Sequence, residues 1–216
     1  MKPLSSTLFH RLVPPDSPNV SPHPTLILLH GRGADEEDLI GLLPVFDRGL
    51  LTLSVRAPFP FPPGGGYTWY DVGSIGSPEP GMFRDAFGKL SQFVNDAVAG
   101  YPVDRRKLFL FGFSMGAVMS FAISLARPGL FSGVIAHSGY LPEETHLTYR
   151  WDDLDGSRFF IAHGTHDPVI PVESARRAVQ LLERTEAGVV AREYPIAHQI
   201  SQESINDIAA WLHALL

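Results

Sequence analysis

Short apolar runs alternate along this chain with stretches in which apolar residues recur at helical spacing. A continuous apolar run of this kind is typical of a strand that is covered on both faces of a sheet. Such runs predict strands at residues 25–29, 50–55, 108–111, 133–137, 159–162 and 189–194. An earlier edge strand or hairpin arm is predicted within residues 4–13, before a proline-rich turn at residues 14–19.

The sequence between the predicted strands carries helix signals. Residues 84–99 predict an amphipathic helix whose apolar stripe consists of Phe87, Leu90, Phe93, Val94 and Val98. Asp35 is a suitable N-cap for a helix that starts at Glu36. Further helices are predicted at residues 117–126, 172–183 and 205–215. This alternation predicts an α/β fold with a mainly parallel, doubly wound sheet and helices on both faces, in one domain over residues 1–216.

Residues 56–80 interrupt the alternation with a long stretch that is rich in proline, glycine and aromatic residues. A loop of this length in a compact domain is usually functional or disordered, and the aromatic residues favour an ordered loop. Trp69 and Tyr70 have two interpretations of equal weight. They line a substrate pocket, or they anchor the loop to the core.

The composition excludes several classes of protein. Hydrophobic residues make up 44% and charged residues 19% of the 216 residues, as in ordinary globular proteins. With 17 basic and 23 acidic residues the net charge is −6, which argues against a nucleic-acid partner or an anionic membrane surface. The lack of cysteine excludes a disulfide, a thiolate nucleophile and a thiolate metal site.

No apolar run approaches the ~20 residues that a membrane-spanning helix needs. The first residues also lead into no apolar segment of the kind found in secretory signals. These observations predict a cytoplasmic protein without a membrane span, and the formation of a homodimer is compatible with them.

One strand-to-helix junction carries the most informative motif. The apolar run at residues 108–111 leads directly into residues 112–116, whose sequence fits G-x-S-x-G. A serine on such a turn has a strained backbone, and side chains at Gly112 and Gly116 would collide with neighbouring backbone. The turn exposes the hydroxyl of Ser114 and directs a helix N-terminus at it, where negative charge is favoured. Because the motif also arises by chance, the partners of the serine have to test it.

A serine hydroxyl needs a base to accept its proton and a carboxylate to orient that base. In a sheet of this kind, sites open at the C-terminal ends of the strands, and the chain order is serine, then Asp or Glu, then histidine. Asp167 follows the strand at 159–162, and His198 follows the strand at 189–194. The predicted catalytic triad is therefore Ser114, Asp167 and His198.

Other histidines and acids are weaker candidates. His166 adjoins Asp167 in sequence and is a poor base, whereas His30 and His163 each precede a glycine at a strand end, where a structural hydrogen bond is favoured. Glu173 begins a helix and is expected to serve its N-terminus. A metal cluster of His163, His166 and Asp167 fits by residue type, but it lacks a further ligand at convincing spacing, so no metal is predicted.

The oxyanion of an acyl-transfer intermediate needs N–H donors. The backbone N–H of Met115, the residue after the serine, is the first predicted donor. The second is expected from the turn at residues 30–33, where the N–H of Arg32 is favoured and that of Gly33 is the alternative. The turn is not a dinucleotide fingerprint, because Glu36 stands where the third glycine of that motif belongs.

Four residues are predicted to contact the substrate, namely Gly33, Trp69, Tyr70 and Phe113. Glycine at position 33 would let the backbone approach the substrate closely. Met115 is a further candidate for the wall of the acyl site. The aromatic candidates and Met115 are equally compatible with a place in the core.

Seven segments together resemble one known family. They are residues 28–35 (LLHGRGAD), 56–58 (RAP), 69–71 (WYD), 112–116 (GFSMG), 138–142 (SGYLP), 163–167 (HGTHD) and 197–198 (AH). In this order, over nearly the whole chain, they resemble the phospholipase/carboxylesterase family of α/β-hydrolases, small bacterial esterases related to acyl-protein thioesterases.

The resemblance implies an α/β-hydrolase fold without a large cap domain. It also implies catalysis by Ser114, Asp167 and His198, without a cofactor, on carboxylic esters that often have short or medium acyl chains. Met115 departs from the glutamine that the family often has beside the serine. Because the donor at this position is the backbone, catalysis is expected to survive, and the departure puts only the acyl pocket in doubt.

Three hypotheses about function compete. A serine carboxylesterase that hydrolyses small-molecule esters through an acyl-enzyme intermediate is favoured. A thioesterase on acylated proteins, or a lysophospholipase-like enzyme, would use the same residues. A non-catalytic binding protein of this fold would be expected to lack a triad member or the oxyanion glycines, and this chain has all of them.

Overall fold

A computed structural model describes residues 1–17, 21–74 and 76–216. Its strands are β1 (His10–Val13), β2 (His23–Leu29), β3 (Leu51–Val55), β4 (Phe59–Pro60), β5 (Tyr67–Thr68), β6 (Val72–Ser74), β7 (Ser77–Pro78), β8 (Val103–Phe113), β9 (Gly133–His137), β10 (Arg158–Gly164) and β11 (Gly188–Tyr194). Seven of them form one sheet in the order β1-β3-β2-β8-β9-β10-β11. Only β1 runs antiparallel to its neighbour, so the predicted mainly parallel sheet is confirmed.

Helices cover both faces of this sheet. They are α1 (Pro80–Gly100), α2 (Met115–Ala126), α3 (Val172–Leu182) and α4 (Gln202–His213). Leu108 and Leu110 of β8 join the core under α1, α2 and α3, whereas Phe109 and Phe111 join the core under α4. The alternation follows from the two-residue repeat of a strand, which points successive side chains to opposite faces. No helix among the described residues is long and apolar enough to cross a membrane.

The predicted helix at Glu36 is wrong. Residues 36–39 form turns, and a 3₁₀ helix follows at Ile40–Val45. The side chain of Asp35 accepts a hydrogen bond from the N–H of Glu37, as a cap would, but Pro44 has no N–H to donate toward an α-helical turn. Glu36 is buried and forms a two-bond ion pair with Arg56 instead of facing solvent.

Short strand pairs order most of the stretch at residues 56–80. Strand β4 pairs with β5 and β6 pairs with β7, both antiparallel. The side chain of Glu79 accepts hydrogen bonds from two N–H groups of α1, which therefore begins at Pro80, before the predicted start at residue 84. Within this stretch residue 75 lies outside the described residues, as do the predicted turn positions 18 and 19.

The turn between β8 and α2 depends on two glycines. Ser114 occupies this turn with φ 54° and ψ −118°, the strained conformation predicted for it. A Cβ atom at Gly112 would overlap the backbone of Gly116, and a Cβ atom at Gly116 would overlap the carbonyl of Leu29 on β2. Both predicted collisions are confirmed, and they show that α2 begins in direct contact with the neighbouring strand.

Replacing Gly116 by alanine is expected to lower the free energy of unfolding by about 3 kcal/mol, because the new methyl group meets rigid backbone. The matched control is Gly88, which is exposed within α1 and has open space at its Cβ position. Gly88→Ala is expected to raise the free energy of unfolding by about 1 kcal/mol, since alanine is the better helix former. Urea unfolding measures both values. Equal stability of the two variants would contradict the close approach of α2 to β2.

Candidate active site

The C-terminal ends of β8, β10 and β11 bring three predicted residues together. The Nε2 atom of His198 lies 2.9 Å from Ser114 Oγ, and its Nδ1 atom lies 2.6 Å from Asp167 Oδ2. The carboxylate can only accept, so Nδ1–H donates to Asp167 and leaves Nε2 to accept the hydrogen bond of the serine hydroxyl. This relay has the geometry that proton transfer from a serine requires.

The carboxylate of Asp167 is held by the backbone of its own loop. Its Oδ1 atom accepts hydrogen bonds from the N–H groups of Val169 and Ile170, at 2.8 and 2.9 Å. Burial by itself would raise the pKa of Asp167, but the hydrogen bonds from Ile170, His198 and Val169 outweigh it and lower the pKa. The group therefore carries its negative charge at neutral pH.

The loops that carry the acid and the base are joined to each other. The N–H of His166 donates to the carbonyl of Ile196, two residues before His198. A Cβ atom at Gly164 would overlap the carbonyls of Ile196 and Ala197, so only glycine permits this approach. The ring of Phe113 lies beside the imidazole of His198, with 5.1 Å between the ring centres. These contacts fix the base relative to the carboxylate.

The two predicted oxyanion donors, the N–H groups of Met115 and Arg32, are not engaged by any residue in the part of the chain that the structure describes. Met115 is the first residue of α2, where an N–H has no partner within the helix. The N–H of Arg32 donates no hydrogen bond to any residue that the structure describes. The N–H of Gly33 donates to the carbonyl of Tyr67 at 2.8 Å, so Gly33, the alternative donor, is already engaged.

The turn at residues 30–33 is held by a neutral histidine. The Nε2 atom of His30 accepts the N–H of Ala57, and its Nδ1–H donates to the carbonyl of Gly31. Burial lowers the pKa of His30 more than that backbone carbonyl raises it. The role is a structural hydrogen bond, as the sequence favoured.

Trp69 belongs to the core and does not line the cavity beside Ser114. Its indole N–H donates to the carbonyl of His30 at 2.9 Å. Of its two interpretations the structure therefore supports the anchor, which corrects the expected substrate contact. Gly33 is also absent from the residues that line this cavity, whereas Tyr70 and Phe113 line it.

The cavity beside Ser114 has a volume of about 490 Å³. Most of its wall is apolar and includes Val72, Phe113, Met115, Val118, Val169 and Ile170. Tyr70 and Tyr140, whose hydroxyls lie 3.3 Å apart, belong to the same wall. Arg32 and Asp38 also line the cavity, and partial burial raises the pKa of Asp38. Such a wall suits an apolar acyl group.

The sequence did not predict several of these wall residues. Val118 sits in α2, and Val169 and Ile170 follow Asp167, at positions that carry no chemical signal of their own. Tyr140 lies in the segment at residues 138–142 that contributed to the family resemblance. That resemblance is the one sequence feature that indicates Tyr140.

The remaining predicted candidates do not reach the serine. His166 is exposed, and Glu173 lies in the first turn of α3, where Arg176 contacts it. Among the residues that the structure describes, no group of three or more acids and histidines could hold a metal ion.

His137, at the end of β9, is fully buried beneath the site. Its ring nitrogens lie 3.0 Å from the hydroxyls of Ser138 and Ser204. Burial lowers the pKa of His137 to about 3, so the ring is neutral. Ser204 forms the capping box of α4 with Ser201, three residues after His198. The buried ring thereby links β9 to the helix that follows the loop of His198.

Comparison with known proteins gives the same fold and family. A model of the Phospholipase/Carboxylesterase family matches residues 15–216. Acyl-protein thioesterase 1 of Mycosarcoma maydis is 27% identical over 91% of this chain and 93% of that protein. The crystal structure of a Bacillus cereus carboxylesterase superposes with a TM-score of 0.85 at 23% identity, covering 97% of this chain and 95% of that one. A carboxylesterase from Mesorhizobium loti gives 0.84 at 22% identity, covering 96% and 95%.

The sheet, the serine turn and the absence of a large cap domain among the described residues define an α/β-hydrolase. The chain belongs to the phospholipase/carboxylesterase family, as the seven segments indicated, and it is a carboxylic ester hydrolase.

The buried neutral histidine makes stability depend on pH. In the unfolded chain the pKa of His137 returns to near 6.5, so between pH 6.5 and 3 the unfolded state binds more protons than the folded state. The free energy of unfolding is expected to fall as the pH is lowered through this window, by up to about 5 kcal/mol from His137.

The measurement is urea unfolding of wild type and His137→Gln at several pH values. The variant is expected to be less stable at pH 7, because the bonds to two serines are lost, and to lose less stability on acidification. Exposed His146 provides the control, since His146→Gln is expected to keep the slope of the wild type. An unchanged slope in His137→Gln would show that the buried ring does not resist protonation.

Proposed function

We propose that this chain is a serine carboxylesterase that hydrolyses small-molecule carboxylic esters with short to medium acyl chains, using Ser114, His198 and Asp167. The observation that carries the proposal is the unbroken hydrogen-bonded relay from Ser114 Oγ through His198 to Asp167, beside an apolar cavity. Arg32 and Met115 supply the oxyanion donors in this proposal.

The proposal also covers the domain organisation, the location, the cofactors and the partners of the enzyme. One domain over residues 1–216 is supported by a sheet whose strands come from both ends of the chain. A cytoplasmic location, catalysis without cofactor or metal and the lack of a nucleic-acid partner rest on composition and on the residues of the site. Homodimer formation remains compatible with them.

Acylation is the first half of the reaction. The Oγ atom of Ser114 forms a bond to the ester carbonyl carbon while Nε2 of His198 takes its proton, and Asp167 stabilises the resulting imidazolium. The N–H groups of Met115 and Arg32 hold the tetrahedral oxyanion, each contributing about 3–4 kcal/mol. The bond to the leaving alcohol then breaks, and His198 returns the proton to its oxygen.

Deacylation repeats these steps with water. His198 accepts a proton from the water that attacks the acyl-enzyme, and then protonates Ser114 Oγ as the acid leaves. General base catalysis of this kind contributes a rate factor of ~10²–10⁴ in each half. Phe113, Tyr70 and the apolar wall residues hold the acyl chain in this proposal.

Thioester hydrolysis is the second candidate. The similarity to acyl-protein thioesterase 1 of Mycosarcoma maydis favours it, and the chemistry of the site serves a thiol leaving group equally well. A lysophospholipase-like activity would also use this site, because the family is named for phospholipases as well as carboxylesterases.

Replacing the nucleophile tests the triad. Ser114→Ala is expected to lower kcat for a p-nitrophenyl ester by about 10⁴-fold or more, since no other group can form the acyl-enzyme. A fluorophosphonate is expected to label wild type stoichiometrically at Ser114 and not to label His198→Ala. Exposed Ser77 gives the control, because Ser77→Ala is expected to behave as wild type. Wild-type hydrolysis by Ser114→Ala would refute the assignment.

An acyl-length series of p-nitrophenyl esters tests the substrate class. Each methylene that enters the apolar cavity is worth about 0.8 kcal/mol, so kcat/KM is expected to rise by up to about fourfold per carbon from acetate. It is expected to fall once the chain outgrows a cavity of about 490 Å³. A rise that continues to palmitate would contradict the short-to-medium range. Matched thiol esters in the same series would favour the thioesterase if they react much faster than the oxygen esters.

A further inference from the structure

We infer that His163 is a positioning residue of this active site, which holds the loop of Asp167 so that the carboxylate faces His198. The inference rests on the proposed function, because it assigns a role within the proposed triad. It concerns a histidine that neither touches Ser114 nor lines the cavity.

His163 lies at the end of β10 and is almost fully buried, with 1% of its surface exposed. Its Nε2 atom lies 2.8 Å from the carbonyl oxygen of Ile170. The same atom lies 3.4 Å from Oδ2 of Asp167, the carboxylate oxygen that accepts the hydrogen bond of His198. His163 therefore contacts this loop at Asp167, the acid of the proposed triad, and at Ile170, which lines the cavity.

The hydrogen bond to Ile170 determines the tautomer of this ring. A carbonyl oxygen only accepts, so the hydrogen is on Nε2 and the Nδ1 atom is unprotonated. Burial lowers the pKa of His163 more than the carbonyl of Ile170 and the charge of Asp167 raise it. The ring is thus neutral and directs one N–H toward the carboxylate of Asp167. It does not neutralise the negative charge of that carboxylate, which stabilises His198.

The bonds to Ile170 close the loop from two sides. The N–H of Ile170 donates to Oδ1 of Asp167, while its carbonyl accepts from His163. Loss of the histidine donor would leave a buried carbonyl without a partner, and the loop could relieve this only by turning that carbonyl away. Such a movement would also displace the N–H that orients the carboxylate.

The other nitrogen of the ring, Nδ1, is buried and has no hydrogen-bond partner among the described residues. The titratable groups that face the ring are Asp167 and His198 on the loops, Glu193 opposite it on β11, and His137 on β9.

Two variants separate positioning from stability. His163→Gln keeps an N–H donor that can reach the carbonyl of Ile170, whereas His163→Leu keeps similar bulk without a donor. The quantities to measure are kcat per active site titrated with a fluorophosphonate, KM, and the pH dependence of kcat/KM, with a p-nitrophenyl ester. Exposed His166 gives a matched control in the same loop, and His166→Gln is expected to match wild type.

In His163→Leu, kcat per titrated site is expected to fall about tenfold or more with KM nearly unchanged, because a carboxylate misplaced by a fraction of an ångström supports His198 less well. The acidic limb of kcat/KM is expected to move to lower pH, because the imidazolium of His198 loses part of its stabilisation. His163→Gln is expected to recover most of kcat and the pH profile of the wild type.

The inference is overturned if His163→Leu keeps the wild-type kcat per titrated site and pH profile and loses only thermal stability. If that variant does not fold, His163→Asn replaces it, since the shorter amide falls short of the Ile170 carbonyl. Equal kcat values for His163→Asn and His163→Gln would then overturn it as well. Failure of the proposed function is distinguishable, because wild type would then not be labelled by the fluorophosphonate.

Discussion

The structure depends on the contact between the start of α2 and the neighbouring strand β2. Gly116 touches the carbonyl of Leu29, and Gly112 touches Gly116, so the chain can turn from strand to helix within a single residue. That residue is Ser114, and the strand and helix that it joins hold its backbone in the strained conformation. The same contact places the first N–H groups of α2 beside the turn at residues 30–33, which carries Arg32, the second proposed oxyanion donor.

Buried neutral histidines recur around this turn. His30 holds the turn at residues 30–33, His137 links β9 to α4, and His163 holds the loop of Asp167. Burial lowers the pKa of each of them, so each forms its hydrogen bonds as a neutral ring without adding charge near the triad. The negative charge of Asp167 is thereby left to act on His198, and acid is expected to destabilise the whole arrangement.

The sequence was informative where one residue type has one physical use. Sterics and the geometry of strand ends leave few alternatives at such positions. The sequence therefore predicted the glycines of the serine turn, the central strands and the chain order of Ser114, Asp167 and His198. It was misleading at Glu36, where capping signals predicted a helix, whereas this residue is buried in an ion pair with Arg56 and a 3₁₀ helix begins only at Ile40. It left Trp69 undecided, since an indole suits a pocket wall and a core equally well.

The amino-acid sequence by itself determined the mainly parallel α/β sheet, the family and which three residues could form a relay. Periodicity and motif order are local properties, which the chain displays without folding. Only the tertiary structure decided that Val118, Tyr140 and Ile170 share a cavity, that Gly33 is already engaged by Tyr67, and that His163 reaches the loop of Asp167. These relations join residues that are distant along the chain, and a contact between such residues is decided by how the strands and loops assemble.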